Sequence, residues 1–206
     1  IYNKFKEYYV ECNDISNYCK EIKSYQFGYF KSNKVSNGVP TKNCIKRLTR
    51  ELSNLSNSLP LNYNSSIVLR YDETNLQHLK ILIVGPKDTP YENGCFIFDF
   101  IIPNTYPVDP PKVKLLTTGN GKVRFNPNLY DNGKVCLSLL GTWSGSKSEL
   151  WNKDTSTLLQ ILISIQSLIL IEEPYYNEPG YEKQKGTIRG KIQVMNTMKI
   201  LDKKHY

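Results

Sequence analysis

Between residues 66 and 116 the chain runs through four short strand-like stretches, 66–71, 79–84, 95–102 and 112–116, and the connections between them leave little choice of topology. Parallel pairing needs a crossover of about a dozen residues or more, usually a helix. Here the connections carry turn chemistry instead: Asp72-Glu73-Thr74-Asn75, then Gly85-Pro86 through Asn93-Gly94, then Pro103 through Pro111. They predict an antiparallel meander. Within 95–102, Phe96, Phe98 and Phe100 alternate with Ile97, Asp99 and Ile101, so one face of this strand is aromatic and needs an apolar cover.

Helical periodicity supplies that cover on both sides. Pro40-Thr41 offers a helix start, Cys44, Ile45, Leu48, Leu52, Leu55 and Leu59 form a buried stripe, Lys46, Arg47 and Arg50 face out, and Pro60 ends the helix. Residues 155–171 are apolar nearly all round, the pattern of a helix buried across a sheet. Beyond Glu172-Glu173-Pro174 and Pro179-Gly180, a basic helical tail runs to Tyr206. At the other end, Tyr2, Phe5, Tyr9, Cys12, Ile15, Cys19 and Ile22 recur at helical spacing, and a Ser-, Asn-, Gly- and Lys-rich linker follows to Pro40. The expected class is α+β, with residues 1–40 as a helical extension and linker and 41–206 as the main domain.

With 39% hydrophobic and 22% charged residues, the 206-residue chain can bury a core. Its longest apolar run, 161–171, is interrupted by Ser164, Gln166 and Ser167 and falls well short of the ~20 residues that span a bilayer, so no membrane role is expected. Ile1-Tyr2-Asn3-Lys4 has no signal-peptide pattern, and the missing initiator Met reads as a chain cut from a longer one. The net charge of +8 sits mainly in 31–50 and in the C-terminal lysines and arginines. No nucleic-acid-binding signature accompanies it, which leaves solvated helix faces or a docking surface for acidic proteins. The five cysteines (12, 19, 44, 95 and 136) are odd in number and form no CxxC pair, and only His78 and His205 are at hand to assist. No metal or cofactor is expected, and reduced thiols place the chain in the cytoplasm, with the nucleus left open.

A long irregular stretch, 117–152, interrupts the regular elements, and loops of that length inside a domain usually carry function. It contains Cys136, within Gly133-Lys134-Val135-Cys136-Leu137-Ser138 and eight residues beyond Asn128 of Asn126-Pro127-Asn128. Structural burial is the commoner fate of a cysteine. A protease-type nucleophile needs a histidine base, and neither His78, placed in a hairpin before a strand, nor His205, near the chain's end, fits that role. A thiol that carries a group handed to it by another enzyme needs no such base.

Lys46-Arg47 with Glu51-Leu52, Gly85-Pro86 with Thr89-Pro90-Tyr91 and Gly94, Tyr106-Pro107 with Pro110-Pro111-Lys112, and Asn126-Pro127-Asn128 with Cys136 and Trp151 follow one another from about Thr41 to Gly186. In that order they resemble the ubiquitin-conjugating enzymes. Residues 125–130, 134–143, 165–169 and 174–181 are similar, more closely, to the conjugating domain of the large hybrid conjugating-ligating enzymes, the giant baculoviral-repeat inhibitors of apoptosis among them. The resemblance implies the family's fold for 41–206: N-terminal helix, four-stranded meander, long active-site loop, central crossing helix and C-terminal helices. It also implies a ubiquitin thioester on Cys136, loaded by the activating enzyme and discharged to a substrate lysine or to a ligase, which can lie in the same parent chain. Asn128 then either donates to the oxyanion or orders the loop that does, with plain turn chemistry beside Pro127 as the alternative. Glu178 falls at the acidic gate position, where it orients and deprotonates the incoming lysine; a solvated loop carboxylate is the plainer reading. Leu137 and Tyr130 wall the thioester. Lys46, Arg47 and Val108 match contacts to the activating enzyme and ligase, and Ile163 and Ser167 match contacts to bound ubiquitin, although core packing is the simpler role for Ile163.

The departures are Asn126 in place of the motif histidine, Val108 in place of an aromatic after Tyr-Pro, and Asn152-Lys153-Asp154 in place of Ser-Pro-Ala after the Trp. The last two weigh against a conventional RING-ligase partner. Residues 139–150 are longer than in compact members and are expected to extend the active-site rim. The alternatives are a conjugating enzyme for another ubiquitin-like modifier and a non-catalytic ubiquitin-binding variant of the fold.

Overall fold

The computed structural model describes residues 39–62, 64–72 and 75–202, with side chains as far as 196. The helix expected over 1–24, the linker to residue 38 and His205 lie outside the described residues. Helix α1 (Lys42–Ser58) starts where Thr41 caps it, the Thr41 hydroxyl accepting a hydrogen bond from the Cys44 amide at 3.0 Å. It ends at Leu59, which is extended because the following Pro60 excludes helical geometry. Cys44, Leu48 and Leu55 are buried as the stripe predicts, while Ile45 and Leu52 are only half-buried.

The meander follows: β1 (Ile67–Asp72), β2 (Asn75–Val84), β3 (Cys95–Ile101) and β4 (Lys112–Leu115), antiparallel throughout and in chain order across the sheet. Strand β2 begins four residues before the apolar run does. Backbone pairing sets a strand's extent, and His78 pairs with Ile101 inside the ladder instead of sitting in the hairpin turn. Register places Ile83, Ile81 and Leu79 opposite Phe96, Phe98 and Phe100, with Ile67 and Leu69 beside them, making one buried face. On the reverse face Asp99 is also buried, paired in register with Lys80 and Lys114, and the Lys80 ammonium lies 2.6 Å from its carboxylate. Between β2 and β3 the chain folds back tightly over Gly85, where an added Cβ would stand 1.7 Å from the Tyr91 carbonyl oxygen. This close approach requires glycine, and Tyr91 is carried into the core.

Helix α2 (Leu158–Ser164) opens with a reciprocal capping box between Thr157 and Gln160, and it continues into one π-helical turn at Ile165–Ile169. Leu158, Ile161, Leu162, Ile165 and Ile169 join the phenylalanine face in one core. The helix is not buried all round, however: Ile163 is 37% and Leu168 59% exposed. Short 3-10 turns at Pro174–Asn177 and Tyr181–Gln184 lead into α3 (Ile188–Asp202). No described helix is long and apolar enough to cross a membrane.

Glu51 ties these layers together, and the hydrophobic pattern gives no sign of it. It is buried; one oxygen accepts from Arg47 Nε and from the Tyr106 hydroxyl at 2.7 Å, and the other accepts the Leu158 amide of α2 at 2.7 Å. A carboxylate at a helix N-terminus is favourable in itself. Burial, reinforced by the Glu51 charge, drives the Tyr106 phenol far above its usual range. Arg47, expected to face solvent, is half-buried and donates Nη2 to the Ser156 carbonyl at 2.7 Å. Glu51→Ala leaves three donors without this acceptor, one of them on a half-buried cation, so it should cost about 3 kcal/mol. Thermal denaturation should show the midpoint falling by roughly 10 °C; an unchanged midpoint would remove Glu51 from the framework.

Candidate active site

Downstream of β4 the chain is irregular but closely tied. The Leu115 amide donates to the Gly133 carbonyl at 2.9 Å, and Lys114 bridges to Lys134. Gly133 adopts φ 86°, and a Cβ there would stand 2.4 Å from the Leu115 carbonyl oxygen, so only glycine makes this turn. The turn at residues 130–134 reverses the chain and lays Cys136 back alongside Asn128. The two residues are linked twice: the Cys136 amide donates to the Asn128 carbonyl at 2.9 Å, and Asn128 Nδ2 donates to the Cys136 carbonyl at 3.0 Å. A carbonyl acceptor fixes which end of the carboxamide faces it. One N–H of Nδ2 therefore orders the loop, and the second remains for another acceptor; Oδ1 is buried and accepts no hydrogen bond.

Asn126 serves as the structural centre of the motif. Its Oδ1 accepts the Asn128 amide at 2.8 Å, and its Nδ2 donates to the Ile169 carbonyl at 2.6 Å and to the Tyr91 hydroxyl at 3.1 Å. The Tyr91 hydroxyl in turn donates to the Phe125 carbonyl at 3.1 Å. A side chain with both donor and acceptor ends thus pins the Asn128 loop to the C-terminus of the crossing helix, whose last carbonyls have no partner within the helix.

Three charged side chains, Lys134, Arg124 and Glu178, act on the thiol. The Arg124 guanidinium lies over the Tyr130 ring, 4.2 Å from its centroid, with Lys134 Nζ at 5.6 Å. Arg124 also reaches Glu178 at 3.8 Å. Burial pushes the Cys136 thiol up from its ordinary pKa; the Lys134 and Arg124 charges offset part of this, and Glu178 adds to it. Cys136 itself is only 1% exposed. The sulfur that the resemblance expects to be open is closed over here. A raised pKa means less thiolate at neutral pH. Iodoacetamide at pH 7.5 should therefore label exposed Cys95 at least about tenfold faster than Cys136, as read by peptide mass spectrometry. The Cys136 rate should keep rising above the pH at which an ordinary thiol levels off. Equal rates would contradict the burial.

The family model of the ubiquitin-conjugating enzymes matches residues 47–195. The chain belongs to this family. The human dual E2 ubiquitin-conjugating enzyme/E3 ubiquitin-protein ligase BIRC6 is 53% identical over 164 residues, which is 80% of this chain and 3% of that protein. The Caenorhabditis elegans probable ubiquitin-conjugating enzyme protein 17 is 55% identical over 145 residues, 70% of this chain and 20% of the relative. The chain thus spans only a small part of these relatives. Among solved structures, human ubiquitin-conjugating enzyme E2 G1 is similar at TM-score 0.51 and 30% identity, covering 64% of this chain and 98% of that one. The E2 domain of a Toxoplasma gondii ubiquitin-conjugating enzyme is similar at TM-score 0.53 and 28% identity, covering 76% and 94%. The expected α+β conjugating fold is present.

Of the residues expected at partner surfaces, Lys46, Arg47, Val108 and Ile163 line two clefts. Lys46, Arg47 and Val108 line one of about 600 Å³, together with Arg50, Pro107 and Lys153; Val108 is exposed, whereas Arg47 is held inward by Glu51. The Trp151 indole donates to the Pro107 carbonyl at 2.7 Å. A second cleft, of about 640 Å³, lies between α2 and residues 147–150 of the active-site loop, and its lining includes Leu137, Ile163 and Leu168. Leu137 belongs equally to the core. Ser167 is exposed near this cleft but donates its hydroxyl to the Ile163 carbonyl at 2.7 Å. Arg124, two residues before Asn126, gave no sign in the sequence, because the carboxylate it meets, Glu178, comes from a distant part of the chain.

Proposed function

We propose that Cys136 accepts ubiquitin as a thioester from the activating enzyme and passes it to a lysine amine or to a ligase cysteine. In loading, the Cys136 sulfur attacks the ubiquitin C-terminal carbonyl and the activating enzyme's thiolate leaves. In discharge, the amine attacks, an oxyanion forms, and the Cys136 thiolate departs as the amide bond closes. The double link between Cys136 and Asn128 carries this reading, because it leaves an uncommitted carboxamide N–H beside the residue whose sulfur would hold the acyl carbonyl on which the oxyanion forms. Glu178, at the thiol's rim, orients the amine and takes its proton. Tyr130 and Leu137 flank the acyl group. The cleft around Lys46, Arg47 and Val108 receives the activating enzyme or a ligase, its basic lining steering acidic partners. The exposed surface of α2 at Ile163 and Ser167 receives the bound ubiquitin, and residues 139–150 extend that rim. Residues 41–206 form the catalytic domain and 1–40 an extension to it.

The test is to incubate the chain with activating enzyme, ATP and ubiquitin, and in parallel with other ubiquitin-like modifiers and their own activating enzymes. A reductant-sensitive adduct with ubiquitin is expected. Preference for another modifier would reassign the substrate, and no adduct with any of them would make the chain a binding variant.

A further inference from the structure

We propose that Arg124 is a positioning residue that holds Glu178 on the acceptor side of Cys136 before a lysine arrives. The proposal rests on the thioester reading above. Arg124 is pinned within its own loop at three points: Nη2 donates to the Pro127 carbonyl at 3.1 Å, Nε to the Asn126 carbonyl at 3.4 Å, and the guanidinium face lies on Tyr130. Its contact with Glu178, 3.8 Å from Nη2 to Oε2, crosses to a different part of the chain.

Glu178 is anchored from behind as well. The neighbouring Asn177 donates Nδ2 to the Leu168 carbonyl at 3.0 Å, one residue from the carbonyl that Asn126 takes. The end of the crossing helix therefore holds a side chain from each loop, and Arg124 joins the two loops through Glu178, both charges acting on the Cys136 thiol. An arginine suits this role because its planar fork serves two carbonyls and a ring while leaving an N–H edge for a carboxylate, which an ammonium cannot do. An arriving lysine ammonium can take over the Glu178 carboxylate without loosening the loop, since Arg124 keeps its carbonyl and ring contacts.

Arg124 and Glu178 are both nearly half exposed, so the pair biases the Glu178 position only by a small factor, about three- to fivefold. That factor should appear in discharge alone. The full chain is loaded with ubiquitin, activating enzyme is quenched, and single-turnover discharge is followed across free-lysine concentrations. Arg124→Ala should lower discharge by about three- to fivefold while loading stays within about twofold of the unsubstituted chain. Arg124→Lys should not rescue it. In a Glu178→Gln background, Arg124→Ala should add no further loss. Arg124→Gln, which keeps an N–H donor for the loop carbonyls, should give the same pattern and serves if the alanine variant loses the loop. Equal losses in both backgrounds, or a loading defect as large as the discharge defect, would overturn the positioning role while leaving the thioester reading intact. An unsubstituted chain that forms no adduct overturns both.

Discussion

Cys136→Ala is expected to abolish the ubiquitin adduct, and Cys136→Ser to convert it from a species cleaved by excess thiol into an oxyester that resists thiol and yields to hydroxide. The argument is chemical. Ser keeps nearly the same shape and a nucleophilic atom, but the acyl bond it forms is no longer open to thiol exchange; Ala removes the nucleophile. Cys95→Ser should leave the adduct unchanged, because Cys95 is exposed on β3, in register with Val84. The buried setting of Cys136 makes a folding control necessary. Removing a small buried side chain costs about 1 kcal/mol, and a buried hydroxyl needs a partner, so melting temperatures of both variants should accompany the assay. An adduct that survives in a folded Cys136→Ala variant would move the acyl site elsewhere.

Asn128→Ala should slow discharge to lysine by about 10²–10³-fold, the usual effect of removing one oxyanion donor. The structure adds a second consequence. The same Nδ2 holds the Cys136 carbonyl, so the variant also leaves that carbonyl without its donor and loosens the reversal that presents the cysteine. The two roles separate in single-turnover kinetics. If the second N–H serves the oxyanion, preformed thioester persists in the variant and loading falls far less than discharge. If the side chain only orders the loop, loading and discharge fall by one common factor and the melting midpoint drops with them. Discharge at the unsubstituted rate would exclude both roles.

Asn126 stands where the resemblance expects a histidine, and its hydrogen bonds show what the position does in this chain. The position needs one acceptor for the Asn128 amide and donors for the Ile169 carbonyl and the Tyr91 hydroxyl. A carboxamide carries both kinds of group. The departure at Val108 is of another kind. That residue is 63% exposed and lines the basic cleft, so its change leaves the framework untouched.

Local rules alone determined the meander, the Thr41 start and Leu59 end of α1, the aromatic face of β3 and the order of motifs around Cys136. These features depend on residues within a few positions of one another, where turn chemistry, capping and period-two alternation operate. The same rules misjudged the start of β2, where pairing outran apolarity, and the outer side of α2, where Ile163 and Leu168 stay exposed because the sheet covers one face of a helix and not its whole circumference. Folding alone decided the role of Glu51, which meets Tyr106 and Leu158 across 55 and 107 residues of chain. It also decided the Arg124–Glu178 pair and the closing over of Cys136. Charge, burial and hydrogen-bond partnership between distant segments exist only once those segments are packed together, and no periodicity in a linear sequence encodes them.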